Sequence, residues 1–260
     1  MGTPSRSDCL TLLALPGIPS IEEGDDLGLI LGDALDALEI PVRSSDVLVV
    51  THKIISKADG RIVDLNTIEP SSAAEELALA TGKSPAFCEV VLGESRRIIR
   101  RRRGLIIAEH RLGMIMANAG IDRSNVTGSP DDESVLLLPE NPDQRAADLA
   151  NALSARFGVK LAVVVSDSVG RAWRRGVVGL ALGAANLPAL MDLRGRLDRD
   201  GRPLAVTDVG LADEIASAAE LLMGEADEGQ PAVLVSGLRL DCRDRPARDL
   251  QRPADEDLFR

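Results

Sequence analysis

A mixed α/β fold is predicted by three features of this 260-residue chain. Short β-branched runs recur, most clearly at residues 46–51, 161–165 and 232–235, as in strands buried on both faces. Segments with helix start and stop signals lie between them. Apolar residues make up 45% of the chain, yet only three Phe, one Trp and no Tyr are present. The core is therefore expected to be aliphatic, and a chain of this length buries enough surface to fold without a disulfide or a metal.

The apolar run at residues 10–15 is cut by Pro16-Gly17. It is too short for a signal peptide, and no stretch reaches the roughly 18 apolar residues of a membrane span. Ser72-Ala-Ala-Glu75 reads as a capping box opening a helix that Gly82 closes. Ser84-Pro85 starts a second helix, expected to run toward Arg96-Arg97 and the cluster at residues 100–103, whose charges suit a solvated helix end. Residues 105–109 and 113–117 are expected to form a hairpin, and 123–133 a polar loop. An Ala-rich helix at 143–157, stopped by Gly158, feeds the strand at 161–165, which ends in Ser166-Asp167-Ser168. A Gly-rich segment (170–183) and a charged, turn-rich patch (192–203) follow. Next come a helix at 211–223, a polar loop at 224–230 and the last strand. A soft internal boundary is placed near residues 140–145, within a main domain spanning 1–245. The charged segment 246–260 is expected to be a mobile tail.

Thirty basic residues against 41 acidic give a net charge of −11, which argues against a general nucleic-acid or anionic-membrane binder. Only four of the basic residues are lysines: Lys53, Lys57, Lys83 and Lys160. Three cysteines without CxxC spacing argue against a disulfide framework or a zinc site and fit a cytoplasmic protein.

Neither a phosphate-binding P-loop nor a Rossmann glycine motif occurs, and there is no G-x-S-x-G elbow. His52 either binds a phosphate or sits satisfied within the fold. The informative set is acidic: Asp122 after a strand, Asp167 and Ser168 at the end of another, and Asp213, Glu214, Glu225, Asp227 and Glu228 around the last helix. Oxygen ligands of this kind hold Mg²⁺ against phosphate, and Arg171, Arg174 and Arg175 offer guanidinium forks nearby. Gly170 and Gly176 would let backbone approach a ligand. Helix caps, turns and surface ion pairs account for the same residues equally well. On residues alone the reading stops at metal-dependent phosphate chemistry.

Several blocks in order resemble the coenzyme F420-0:γ-glutamyl ligase family. They are Leu15-Pro-Gly-Ile-Pro19 with Glu23-Gly-Asp-Asp-Leu27, Ile55-Ser-Lys-Ala-Asp-Gly-Arg61, and Asn118-Ala-Gly-Ile-Asp-Arg-Ser-Asn125. Ser166-Asp-Ser-Val-Gly-Arg171 with Arg174-Arg-Gly-Val-Val-Gly179, and Ala212-Asp-Glu-Ile-Ala216 with Leu222-Met-Gly-Glu225, complete the set. The resemblance implies two intimately packed α/β subdomains and a homodimer. It also implies a ligase that adds L-glutamate to a deazaflavin precursor (F420-0), using GTP and two divalent ions, Mg²⁺ or Mn²⁺, with K⁺ as a candidate monovalent ion. An acyl phosphate would be the intermediate.

Carried over position by position, the resemblance implies metal ligands at Asp122, Asp167, Ser168 (where Thr is usual) and Glu225. Nucleotide contacts are implied at Ile18, Pro19, Ser20, Ile21, Lys57, Asn125, Met223, Gly224, Glu225 and Gln230. His52 and Lys53 stand where archaeal relatives carry Ser-Thr, so the nucleotide contact there is expected to be rearranged. Asp167, Arg171 and Arg174 are the expected catalytic residues. Val169 replaces a usual polar residue, and Trp173 is a candidate to stack on a flat deazaflavin or to pack in the fold. Some bacterial relatives carry a C-terminal nitroreductase-like domain, for which a chain ending at Arg260 leaves no room, so a stand-alone ligase is expected. The alternatives are a metal-dependent phosphohydrolase and a non-catalytic nucleotide- or deazaflavin-binding partner.

Overall fold

Val47 and Val49 point into one apolar core while Leu48 and Val50 point into another. This explains why residues 46–51 read as an unbroken apolar run: the strand is covered on both faces. A computed structural model describes residues 9–126, 133–240 and 243–258. In chain order its first elements are β1 (Thr11–Ala14), α1 (Leu27–Asp36), β2 (Val47–Thr51), α2 (His52–Ala58), β3 (Ile62–Asp64), α3 (Ser72–Thr81) and α4 (Pro85–Gly93). Next come β4 (Ser95–Arg102), β5 (Leu105–His110), β6 (Ile115–Ala117), β7 (Ser134–Leu136) and α5 (Pro142–Phe157). The last are β8 (Ala162–Gly170), β9 (Val177–Ala185), β10 (Met191–Asp192), β11 (Asp208–Val209), α6 (Leu211–Met223) and β12 (Ala232–Ser236).

The main sheet has the order β1-β12-β2-β8-β9; β2 and β8 run parallel and the other neighbours antiparallel. Helices α1, α2 and α5 cover one face through Leu31, Leu35, Ile55, Leu149 and Leu153. Helix α6 covers the other through Leu211, Ile215, Ala216 and Ala219. Glycines permit this packing: a methyl group at Gly179 or Gly183 on β9 would overlap Ala216 O of α6 or Pro142 O of α5. The Gly-rich segment therefore serves helix–sheet contact along β9.

Residues 62–137 form an insertion with a core of its own, built from α3, α4, β5 and the following turn around Leu77, Phe87, Val91 and Ile106. The main sheet is thus assembled from residues 11–58 together with those after 141. Arg61 and Leu138, at the two crossings, are tied by Arg61 Nε donating to Leu138 O (3.2 Å). Beside them Glu94 accepts from Arg61 Nη2 (3.2 Å), Arg111 Nε (3.0 Å) and His110 Nε2 (3.3 Å). His110 is fully buried, and its Nδ1 accepts from Leu112 N (3.0 Å), which leaves the proton on Nε2. Burial alone would raise Glu94, but the His110 hydrogen bond and the two guanidinium charges hold it at about 2.

Two expectations are corrected. The arginines at 96–103 do not end a helix: α4 stops at Gly93, and Ser95–Arg102 is β4, paired antiparallel with β5 across a turn where Gly104 takes φ +80°. Arginine on both faces of this sheet edge hid the strand alternation, and such charges keep an open edge from pairing with other chains. The expected hairpin exists as β5–β6 but belongs to a three-stranded sheet, β4-β5-β6. The strand at 161–165 does not end at Ser166 either, because β8 continues to Gly170.

Smaller shifts have plain causes. Ser71 caps α3 by accepting from Ala74 N, and the reciprocal carboxylate is Glu89 of α4, which accepts from Ser71 N (2.8 Å) and Oγ (2.5 Å). In the segment read as a tail, Ala247 N donates to Asp143 Oδ1 (2.8 Å) and Ala247 is buried, and just before it Arg245 N donates to Leu187 O (3.0 Å). No helix among the described residues is long and apolar enough to cross a membrane.

Candidate functional site

Three segments meet at the C-terminal ends of β2 and β8, the usual place for a ligand in sheets with parallel strands. The register pairs Thr51 with Ser166, so the next residues, His52 and Asp167, stand side by side. Thr51 caps α2 with its hydroxyl, and His52 is the first residue of that helix. On β8 a bulge between Val165 and Ser166 interrupts the pairing with β9 just before Asp167. Beyond the bulge Ser166 is buried, while Asp167 and Ser168 both face one cavity. Asp122 arrives from the insertion. The turn before it holds Asn118 and Ala119 at φ +52° and +54°, and Asp122 is fixed by paired backbone hydrogen bonds with Leu136 (3.0 and 2.9 Å).

These segments enclose His52 between two carboxylates. Its Nε2 lies 3.1 Å from Asp122 Oδ2 and 3.4 Å from Asp167 Oδ1, and its Nδ1 is 3.3 Å from Ser56 Oγ one turn along α2. The ring is fully buried. Burial alone would lower His52, but the Asp167 charge and hydrogen bonds to Asp122 and Asp167 outweigh it and push it up to about 9. Burial likewise opposes the Asp122 charge, but the His52 hydrogen bond and the His52 and Lys53 charges hold that carboxyl below the ordinary range.

Above this cluster opens a cavity of about 500 Å³. Its apolar side comes from Ile18, Pro19, Ile21 and Met223, with Ser20 beside them. Its cationic side is Lys53 and Lys57; Lys53 Nζ lies 3.2 Å from Ser124 Oγ and 3.5 Å from Asp122 Oδ2. Burial and the neighbouring Lys53 both lower Lys57. Two ammonium groups set together in this way are matched by an anionic ligand such as phosphate.

The third side is the end of α6 and the loop after it. Gly224 has φ +72° and ψ −179°, a conformation open essentially to glycine alone, and it turns the chain so that residues 225–230 line the cavity. Asn125 Nδ2 donates to Ala226 O (3.3 Å) and so ties the insertion to this loop. Glu220, Glu225, Asp167 and Ser168 gather here. Burial, then the Glu225 charge and a shared hydrogen bond, push Glu220 up to about 7, with Asp167 adding to the effect.

Of the residues singled out from sequence, the structure brings Ile18, Pro19, Ser20, Ile21, Lys53, Lys57, Asn125, Asp167, Ser168, Met223, Gly224, Glu225 and Gln230 to this cavity. His52 does not line it; it lies beneath, against the carboxylates. Arg171 and Arg174 stand apart on the turn between β8 and β9, where Arg174 is exposed and Arg171 Nη2 donates to Arg175 O (3.5 Å). Trp173 on the same turn is 84% exposed with φ +66°. Val169 packs in the main core, which accounts for its apolar side chain. Asp213 accepts from Ala181 N (2.9 Å) and is a structural bridge between α6 and β9. Part of the expected polar loop, residues 127–132, lies outside the described residues. Glu220 was missed; the available signal was a carboxylate flanking the buried Ala216–Ala219–Met223 stripe of α6.

The donor set suits hard divalent cations. His52, Asp122 and Asp167 present ligand atoms within 4.8 Å of one another, and Ser168, Glu220 and Glu225 add oxygens alongside. With carboxylates in excess of nearby cations, a bound divalent ion would relieve the repulsion that raises Glu220.

Comparison with known proteins gives the family. Residues 17–237 match the family model described as F420-0:Gamma-glutamyl ligase. The coenzyme F420:L-glutamate ligase of Methanothermobacter thermautotrophicus is 41% identical over 256 residues, covering 96% of this chain and 99% of the relative. That of Methanopyrus kandleri is 43% identical, covering 92% and 93%, and that of Methanocaldococcus jannaschii 40% identical, covering 85% and 87%. The match extends across the main sheet, the insertion and the loop after α6, and the chain belongs to the F420-0:gamma-glutamyl ligase family.

Proposed function

We propose that this chain is a GTP- and divalent-metal-dependent ligase that joins L-glutamate to the carboxylate of the F420-0 precursor through an acyl phosphate. The observation that carries the reading is the cavity lined by Lys53 and Lys57 together with the carboxylates of Asp167, Glu220 and Glu225, with Asp122 beside it against Lys53. A cationic wall opposite an acidic one is what a metal–triphosphate needs: ammonium groups for phosphate oxygens and carboxylates for the ions.

In this reading the apolar edge at Ile18 and Ile21 and the loop at 223–230 receive the nucleoside end of GTP. Lys57 and Lys53 hold its phosphates. Asp122, Asp167, Ser168 and Glu225 would hold Mg²⁺ or Mn²⁺, which when bound would offset phosphate charge. The acceptor carboxylate attacks the γ-phosphorus as its bond to the β-phosphate oxygen breaks, and GDP leaves. The glutamate amine then attacks the acyl carbon, phosphate departs, and the amine loses its proton as the amide forms. Arg171 and Arg174, on the neighbouring turn, are assigned to the anionic acceptor and glutamate. The same reading carries a homodimer and a monovalent ion, K⁺.

Phosphate release from GTP tests the class of reaction. It should require both F420-0 and L-glutamate, and the amide product should appear in equal amount. Release that proceeds undiminished without glutamate would instead identify a phosphohydrolase, and nucleotide binding without turnover a binding partner.

A further inference from the structure

The imidazole beneath the cavity is placed as a ligand. We propose that His52 Nε2 is itself a donor to a metal ion held by Asp122 and Asp167, and that it tilts this position toward Mn²⁺ over Mg²⁺. The inference rests on the metal-dependent reading of the site.

Three observations carry it. The first is spacing: Nε2 lies 3.1 Å from Asp122 Oδ2 and 3.4 Å from Asp167 Oδ1, and the three ligand atoms fall within 4.8 Å of one another. Donors at about 2.1–2.2 Å from a six-coordinate ion stand about 3 Å apart when adjacent, and the two Nε2–carboxylate separations are close to that value. The second is fixation. The ring is fully buried at the start of α2, and Ser56 Oγ, 3.3 Å from Nδ1, is the outer partner that metal-bound histidines generally have. Without the ion, Nε2–H donates to the carboxylates. On metal binding that proton would leave to solvent, the remaining one would sit on Nδ1 facing Ser56, and the Nε2 lone pair would face the ion.

The third is the surrounding charge. Lys53 Nζ approaches Asp122 from the cavity side at 3.5 Å, while Glu220 and Glu225 crowd Asp167 from α6 and its loop. Carboxylates still outnumber cations once Lys53 is counted. An imidazole added to a carboxylate pair moves preference from the all-oxygen sphere that Mg²⁺ favours toward first-row ions that accept nitrogen.

Pulsed EPR on the full chain loaded with Mn²⁺ alone reads this without turnover. A ¹⁴N coupling from a directly bound imidazole is expected, and it should change to the ¹⁵N pattern in protein grown with ¹⁵N-histidine, which needs no variant. His52→Gln should abolish the coupling and weaken Mn²⁺ binding by roughly 10- to 100-fold, with a smaller loss for Mg²⁺. Mn²⁺ bound at the site with no nitrogen coupling would overturn the proposal and make His52 a fixed counter-charge, leaving the ligase reading intact. Failure to bind Mn²⁺ with or without nucleotide would overturn both.

Discussion

Two buried histidines in this molecule sit against carboxylates, and their surroundings differ in charge balance. His110 meets one carboxylate, Glu94, which is also held by Arg61 and Arg111. His52 meets two, Asp122 and Asp167, with Glu220 and Glu225 close by and Lys53 the nearest cation. At Glu94 the cations exceed the anion, and every member is committed to holding the neck of the insertion closed. Around His52 the anions exceed the cations, and the cluster opens onto a cavity. The first arrangement is complete in itself; the second, in the proposed reading, is completed by a cation from solution.

The largest effect that separates them is catalytic. Asp167→Asn should lower turnover by about a thousandfold or more while the melting temperature stays within a few degrees of wild type. Full activity in that variant would remove Asp167 from the proposed metal site. Glu94→Ala should do the reverse. Breaking a buried ion network costs roughly 3–5 kcal/mol, read by urea denaturation, whereas activity per folded molecule should be nearly unchanged. A variant equally stable but inactive would place Glu94 in the functional cluster after all.

The Glu94 network also carries a pH signature. Its carboxyl titrates at about 2 in the folded protein against an ordinary 4.5, so its contribution to stability is present above about pH 4.5 and is lost as pH falls toward 2. The stability gap between wild type and Glu94→Gln should therefore narrow over that range. A constant gap would show that the hydrogen bonds, and not the charge, do the holding.

On the cationic wall, Lys57→Ala should raise the KM for GTP roughly tenfold with a smaller change in kcat, because its partner is bound in ground and transition states alike. Away from both clusters, Asn141→Ala should cost about 1 kcal/mol, since Asn141 Oδ1 caps α5 by accepting from Gln144 N. Steady-state constants should not move.

Residues whose neighbours in sequence are also their neighbours in space were legible. Strands β2, β8 and β12 carry β-branched runs, and α3 to α6 carry caps or glycine stops, such as Gly82 and Gly158 in the left-handed conformation. Helix α1 was hidden by Gly28 and Gly32 within ten residues, which weaken the helical signal. Helix α2 was hidden because it starts directly at the end of β2 and is only seven residues long. The insertion could not be read, since its two ends meet through Arg61 and Leu138, 77 positions apart.

The site divides in the same way. Short motifs marked Asp122, Asp167, Lys57 and the loop after α6, but nothing local says that His52 faces Asp122, 70 positions away. That contact depends on the parallel register of β2 with β8, on the bulge before Asp167, and on the turn that delivers Asp122. Glu220 shows its significance only once Glu225 and Asp167 are beside it.

The most direct test of the central claim is a product assay by mass spectrometry, with purified protein, F420-0, L-glutamate, GTP and Mn²⁺. The account predicts a product heavier by one or more glutamyl residues, formed with GDP and lost when the metal is chelated. Unchanged F420-0 in the presence of demonstrated GTP and Mn²⁺ binding would contradict it.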